Sequence, residues 1–108
     1  MRTFTTTSNS IGRIKQVYKV TYPNGKIYVG MDLIGNCIYF GSPSPAAKQR
    51  INEDLAHCRK DITVRKEILW ESTTASDAEV RAKENELIVA TGANNPPIGY
   101  NMVPRFTE

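Results

Sequence analysis

Cysteine, histidine and long apolar runs are all scarce in this chain, and each scarcity removes a class of protein. Two cysteines, Cys37 and Cys58, and a single histidine, His57, fall short of the four ligands at paired spacings that a structural zinc site takes. With no export signal in the sequence a disulfide is not expected, and both cysteines read as reduced thiols of a cytoplasmic protein. No apolar run nears the ~20 residues that a membrane-spanning helix requires, so no membrane partner is expected. Met1 to Ser10 is rich in Thr and Ser, carries one charged side chain and lacks a hydrophobic stretch. It therefore reads not as a signal peptide but as the start of a disordered leader over residues 1–12. What remains is ordinary for one soluble domain over residues 13–108: 108 residues in all, 40% hydrophobic and 23% charged. The net charge of +3 agrees with a polyanionic partner without requiring one.

Local signals divide the chain into five elements. Ile14–Tyr22 and Lys26–Met31 are rich in β-branched and aromatic residues, and the turn signal Pro23-Asn24-Gly25 between them predicts a β-hairpin. Ser44 as N-cap and Pro45 in the first turn open a helix whose buried stripe is Ala47, Ile51, Leu55 and Cys58. Ile62–Trp70 reads as a third strand. A second helix starts at the capping box Ser76-Asp77-Ala78-Glu79, runs to about Thr91 and is closed by Gly92. The order β-β-α-β-α predicts a small α/β (α+β) domain in which helices flank a three-stranded sheet containing the hairpin.

The turn decides which side chains share a face. A two-residue turn at Asn24-Gly25 would send Tyr18 and Tyr28 to opposite faces. A three-residue loop, with Pro23 and Asn24 at the centre of a type I turn and Gly25 left-handed, suits each residue better. It pairs Tyr22 with Lys26, Val20 with Tyr28 and Tyr18 with Gly30, and puts Tyr18, Lys26 and Tyr28 on one face. Two phenols and an ammonium could there orient a water and a phosphate, with Lys26 lowering a phenol's pKa. Tyrosines are equally at home in strands as packing residues.

The second helix carries a carboxylate on its apolar stripe: Glu84 lies one turn after Val80 and one before Ile88, beside Leu87 and Thr91, whereas Glu79 and Glu86 fall off the stripe. A carboxylate so placed must be paired, neutralised or coordinating a cation. Magnesium takes one or two protein carboxylates plus water and phosphate oxygens, so Glu84 alone could serve. Equally, Glu84 could sit at the stripe's edge and reach water, Lys83 or a strand arginine. Among the basic residues, Arg65 and Lys66 leave opposite faces of the third strand, and Arg50 lies beside Ile51 on the first helix.

In order and spacing, Val17-Tyr18, then Tyr28-Val29-Gly30, then Glu84 within Lys83-Glu84-Asn85-Glu86-Leu87-Ile88, and the closing Gly99-Tyr100-Asn101 resemble the GIY-YIG nuclease family over residues 13–103. The segment Tyr39-Phe40-Gly41-Ser42 is similar to stand-alone, phage-borne members. The resemblance implies Tyr18 as general base or orienter of the attacking water, and Tyr28 as its hydrogen-bonding companion. It further implies Lys26 as an aid to Tyr18, Glu84 as sole protein ligand of Mg²⁺ or Mn²⁺, and Asn101 as a brace. Two departures stand out. The first motif reads Gln16-Val17-Tyr18 rather than Gly-Ile-Tyr, and no basic residue occurs between Gly30 and Lys48, where the family has an arginine. Arg65 or Arg50 is expected to take that arginine's place, Arg65 before Arg50, with Lys66 as a substitute.

The function expected from this reading is a metal-dependent endonuclease acting on DNA. With no helix-turn-helix, zinc finger or basic tail evident in the chain, low intrinsic sequence specificity is expected. The alternatives are a nucleic-acid-binding module that has lost catalysis, and a protein-interaction domain on the same scaffold.

Overall fold

Gly25 adopts φ 86°, its N–H bonds back to the Tyr22 carbonyl at 2.8 Å, and the Tyr22 N–H reaches the Lys26 carbonyl at 3.0 Å. The loop is therefore the three-residue one expected from Pro23-Asn24-Gly25. It sets the antiparallel register of β1 (Lys15–Thr21) against β2 (Ile27–Asp32), pairing Val20 with Tyr28 and Tyr18 with Gly30. These observations come from a computed structural model that describes residues 13–107. The expected leader, residues 1–12, lies outside the described residues.

β3 (Arg65–Ser72) adds antiparallel to the other side of β1, giving the sheet order β2-β1-β3. It begins three residues later than the expected Ile62, because β1 offers no partner beyond Thr21, which pairs with Arg65. A bulge between Val17 and Tyr18 shifts the pairing, so that Val17 faces Trp70 and Tyr18 faces Ile68. The edge of β2 is closed by the C-terminal segment. The Ile27 N–H donates to the Ile98 carbonyl at 3.0 Å, and the Tyr100 N–H donates to the Ile27 carbonyl at 2.9 Å. Pairing of this kind removes an exposed strand edge.

α2 (Asp77–Thr91) has the capping box at Ser76 and Glu79 in full and ends at left-handed Gly92. It packs across β2 and β1, burying Val80 and Ile88 against Val17 and Val29, with Ala93 completing the cluster. α1 (Pro45–Asp54) is capped by the Ser44 hydroxyl, which accepts from the Ala47 N–H. The stripe expected to continue to Cys58 breaks at Leu55; Ala56–Cys58 is a separate 3₁₀ turn. Cys37 and Cys58 are both free. Among the described residues no helix is long and apolar enough to cross a membrane. The result is an α+β domain with a three-stranded antiparallel sheet and two helices.

Tyr18, Val20, Tyr28, Gly30 and Lys66 share the sheet face opposite α2, as the cross-strand pairs require. Tyr18 lies so close over Gly30 that a Cβ there would overlap its hydroxyl and ring. Gly41, at φ 101°, closes the other side: a Cβ on it would stand 2.7 Å from the Tyr18 hydroxyl and 2.7 Å from the Tyr28 ring. Gly30→Ala should consequently lower unfolding stability by about 1–3 kcal/mol through overpacking. Gly25→Asn should lower it by much less, because nothing lies within 4 Å of a Cβ at Gly25 and Asn tolerates the left-handed region. Urea denaturation of the two variants checks this; equal losses would mean that Tyr18 does not rest on Gly30.

Candidate functional site

Where the edge of β2, α2 and the C-terminal segment meet, a cleft of about 210 Å³ is lined by Tyr28, Arg81, Glu84, Asn85 and Asn101 among others. The side chain of Asn101 holds its floor. Its Oδ1 accepts from the Val29 N–H and its Nδ2 donates to the Val29 carbonyl, both at 2.8 Å, as a neighbouring strand would. This pair fixes the backbone next to Tyr28.

Glu84 projects into the cleft from the middle of α2, half-buried, and makes no hydrogen bond or salt bridge among the described residues. Lys83, one of its expected partners, pairs with Glu86 instead, at 3.2 Å. Burial raises the Glu84 pKa above the ordinary carboxylate value, and the Arg81 guanidinium partly offsets this. Among the described residues there is no group of three or more His, Cys, Asp or Glu side chains able to hold a metal. A cation at Glu84 would have that carboxylate as its hard, charged protein ligand and would draw further oxygens from water or phosphate. The donor chemistry suits Mg²⁺ or Mn²⁺ and does not suit zinc.

Tyr28 lines the cleft, and Tyr18 sits behind it with only 1% of its surface exposed. Tyr39 packs edge-on against Tyr18 with ring centroids 6.0 Å apart. Neither phenol is activated. Burial, reinforced by Tyr28, Tyr39 and Glu84, pushes the Tyr18 hydroxyl far above the usual phenol range. Burial and Glu84 push Tyr28 up to about 12. Both stay neutral near pH 7, able to orient a water or donate to an oxygen but not to act as a standing base.

The expectation that Lys26 lowers a phenol's pKa is therefore corrected. Lys26 does leave the same face, but its ammonium turns to Asp54 on α1, 3.2 Å away. Asp54 also accepts from the Tyr100 hydroxyl at 2.7 Å, and Asn24 donates to that same hydroxyl at 2.9 Å. The Tyr100 and Lys26 hydrogen bonds hold the Asp54 carboxyl below its ordinary value. Burial and the bond to Asp54 push Tyr100 up to about 12.

The two arginines are corrected as well. Arg65 pairs with Thr21, which puts it on the face opposite Tyr18. There it is largely exposed and meets Glu67 at 3.4 Å. Arg50 stacks on the Tyr100 ring at 5.0 Å and donates to the carbonyls of Pro96 at 3.0 Å and Gly99 at 3.4 Å. It fastens α1 to the C-terminal segment beside the cleft and is not part of the cleft lining. The basic residue that does face Tyr18 is Lys66, 4.8 Å above its ring. Its three donors are committed in part to the carbonyls of Tyr39 at 2.7 Å and Asn36 at 3.2 Å, tying down the loop that carries Gly41.

Sequence reasoning missed Arg81, Asp54 and Tyr100 as neighbours of these groups. Arg81 was legible in principle, since it precedes Glu84 by three residues on one helix and so shares its side. The chain matches no protein-family model, no curated protein and no solved structure.

The raised pKa of Glu84 has a sign that can be checked. The folded state holds the Glu84 proton more tightly than the unfolded chain, so stability falls as pH rises through the interval between the ordinary and the raised value, and stays reduced above it. Glu84→Gln should accordingly stabilise the metal-free protein near neutral pH, and this advantage should vanish below pH about 4. Paired urea melts at the two pH values give the difference directly; an advantage that persists at the lower pH would contradict the burial argument.

Proposed function

We propose that this chain is a divalent-metal-dependent endonuclease of the GIY-YIG type, hydrolysing phosphodiester bonds in DNA by in-line attack of water. The observation that carries the reading is Glu84: a half-buried carboxylate with no cationic partner among the described residues, in a cleft it shares with Tyr28 and Asn101. The bulged hairpin that places Tyr18 and Tyr28 on one face supports it, as does the net charge of +3.

Glu84 would hold Mg²⁺ or Mn²⁺, which when bound supplies positive charge to the phosphate and its leaving oxygen. The chain's own residues do the rest. Tyr28, as a neutral phenol, hydrogen-bonds to water or to a phosphate oxygen at the cleft. Tyr18 stands behind Tyr28 and helps set its position: at Gly41 a Cβ would meet both the Tyr18 hydroxyl and the Tyr28 ring. Asn101 keeps β2 from shifting when a polyanion docks.

A second reading, a nucleic-acid-binding module without catalysis, is favoured by one observation: both arginines expected at the cleft are engaged elsewhere. Plasmid cleavage with and without Mg²⁺ separates the two. The wild type should nick or linearise plasmid only with the metal, and Glu84→Ala should reduce cleavage at least ~100-fold. Duplex binding should be retained, because it rests on lysine and arginine contacts. Glu79→Ala and Glu86→Ala should cleave as wild type, since both side chains are exposed. Undiminished cleavage by Glu84→Ala would remove the metal-ligand role; salt-sensitive binding with no cleavage by the wild type would select the binding module.

A further inference from the structure

Five of the cations near the cleft and the sheet have partners. Lys26 is paired with Asp54, Arg65 with Glu67, and Lys83 with Glu86. Arg50 and Lys66 each donate to two backbone carbonyls. Arg81 differs from all of these. It is exposed, it lines the same cleft as Glu84 and Tyr28, and it has no hydrogen bond or salt bridge among the described residues.

The lack of a bond to Glu84 is informative, because the two lie three apart on α2, within reach of a helical ion pair. No Arg81–Glu84 pair forms within 4.0 Å, while the Lys83–Glu86 pair at the same spacing does. Among the described residues, a guanidinium with no hydrogen-bond or salt-bridge partner and a carboxylate without a cation therefore line one cleft. An anion with oxygens in one plane matches the first, and a hard cation matches the second. A phosphodiester with its counter-cation is the ligand that presents both at once.

We infer that Arg81 is the residue that grips the substrate's phosphate, taking on α2 the part expected of Arg65 or Arg50. Arg81 and Glu84 then serve one phosphodiester from a single helical turn: Arg81 donates to a non-bridging oxygen, and Glu84 would hold the metal ion that supplies positive charge to the phosphate. The binding claim stands on the cleft alone, and the claim about cleavage rests on the nuclease reading.

The experiment compares Arg81→Ala, Arg81→Lys and Arg65→Ala, the last removing the same charge from an exposed position on β3 outside the cleft. Fluorescence anisotropy of a short labelled DNA duplex is followed across a salt titration with Ca²⁺ present, and plasmid cleavage is assayed separately with Mg²⁺. Arg81→Ala should shrink the slope of log affinity against log salt by about one, and Arg65→Ala should leave the slope unchanged. Cleavage by Arg81→Ala should fall ~100-fold or more, with Arg81→Lys recovering binding better than cleavage, as loss of the planar fork requires. If Arg81→Ala matches Arg65→Ala in slope, Arg81 does not hold phosphate and the inference fails. If the slope changes but no variant, wild type included, cleaves, the phosphate grip is supported and the nuclease reading alone is overturned. A wild-type protein that cleaves, together with an Arg81→Ala variant that cleaves equally well, overturns the inference and leaves the nuclease reading standing.

Discussion

A left-handed glycine at the tip of the hairpin governs the arrangement of everything on the sheet's second face. With Gly25 at φ 86° the loop is three residues long, and the register that follows brings Tyr18 across from Gly30 and Tyr28 across from Val20. A one-residue slip would exchange the faces, sending Val29 away from Val17 and the α2 cluster and bringing Tyr28 into it. Burial of valine and isoleucine side chains is worth about 1.5–3 kcal/mol each, so the hydrophobic cluster enforces the register that the turn proposes. Gly30 and Gly41 then let two backbones close on the Tyr18 ring, which explains why that ring is almost wholly enclosed.

On the flank, polar contacts replace apolar packing. α1 is tied to the hairpin and to the C-terminal segment through Asp54, Tyr100, Lys26 and Arg50. Asp54 accepts two hydrogen bonds, both charge-assisted, and Tyr100 is enclosed by Tyr22, Arg50 and Lys26. This network has a direct bearing on the cleft, because Tyr100 is followed by Asn101, whose amide clamps Val29 beside Tyr28. Lys26 and Arg50, which could have met a polyanion, are thereby spent on holding the hairpin, α1 and the C-terminal segment in place, while Arg81 and Glu84 line the cleft.

Much of this is legible in the sequence, and the legible parts share one property: they are local. Pro23-Asn24-Gly25 contains the chemistry of its own loop. Ser76 and Glu79 cap α2 within a single turn, and Gly92 ends it. The position of Glu84 on the stripe of Val80 and Ile88 follows from the 3.6-residue period, and the structure has both apolar residues buried and Glu84 between exposure and burial. The limits of β3 were misplaced because a strand's ends are set by its partner: Ile62 is as apolar as a strand residue should be, yet β1 has nothing left to pair with it.

The sequence by itself thus determined the order of the elements, the caps of both helices, the turn that proposes the hairpin register, and the fact that one carboxylate would sit at the margin of the core. Tertiary structure decided the partners of Lys26, Arg50 and Lys66. Whether Arg65 or Lys66 faces Tyr18 depends on the bulged register of β3 against β1, and whether Lys26 meets a phenol or Asp54 depends on where α1 lies. Those outcomes rest on contacts between residues far apart in the chain, whose energies depend on distance and burial rather than on sequence neighbours. A charged side chain on a long flexible stem takes the best partner within reach, and only the folded chain says which partners are within reach.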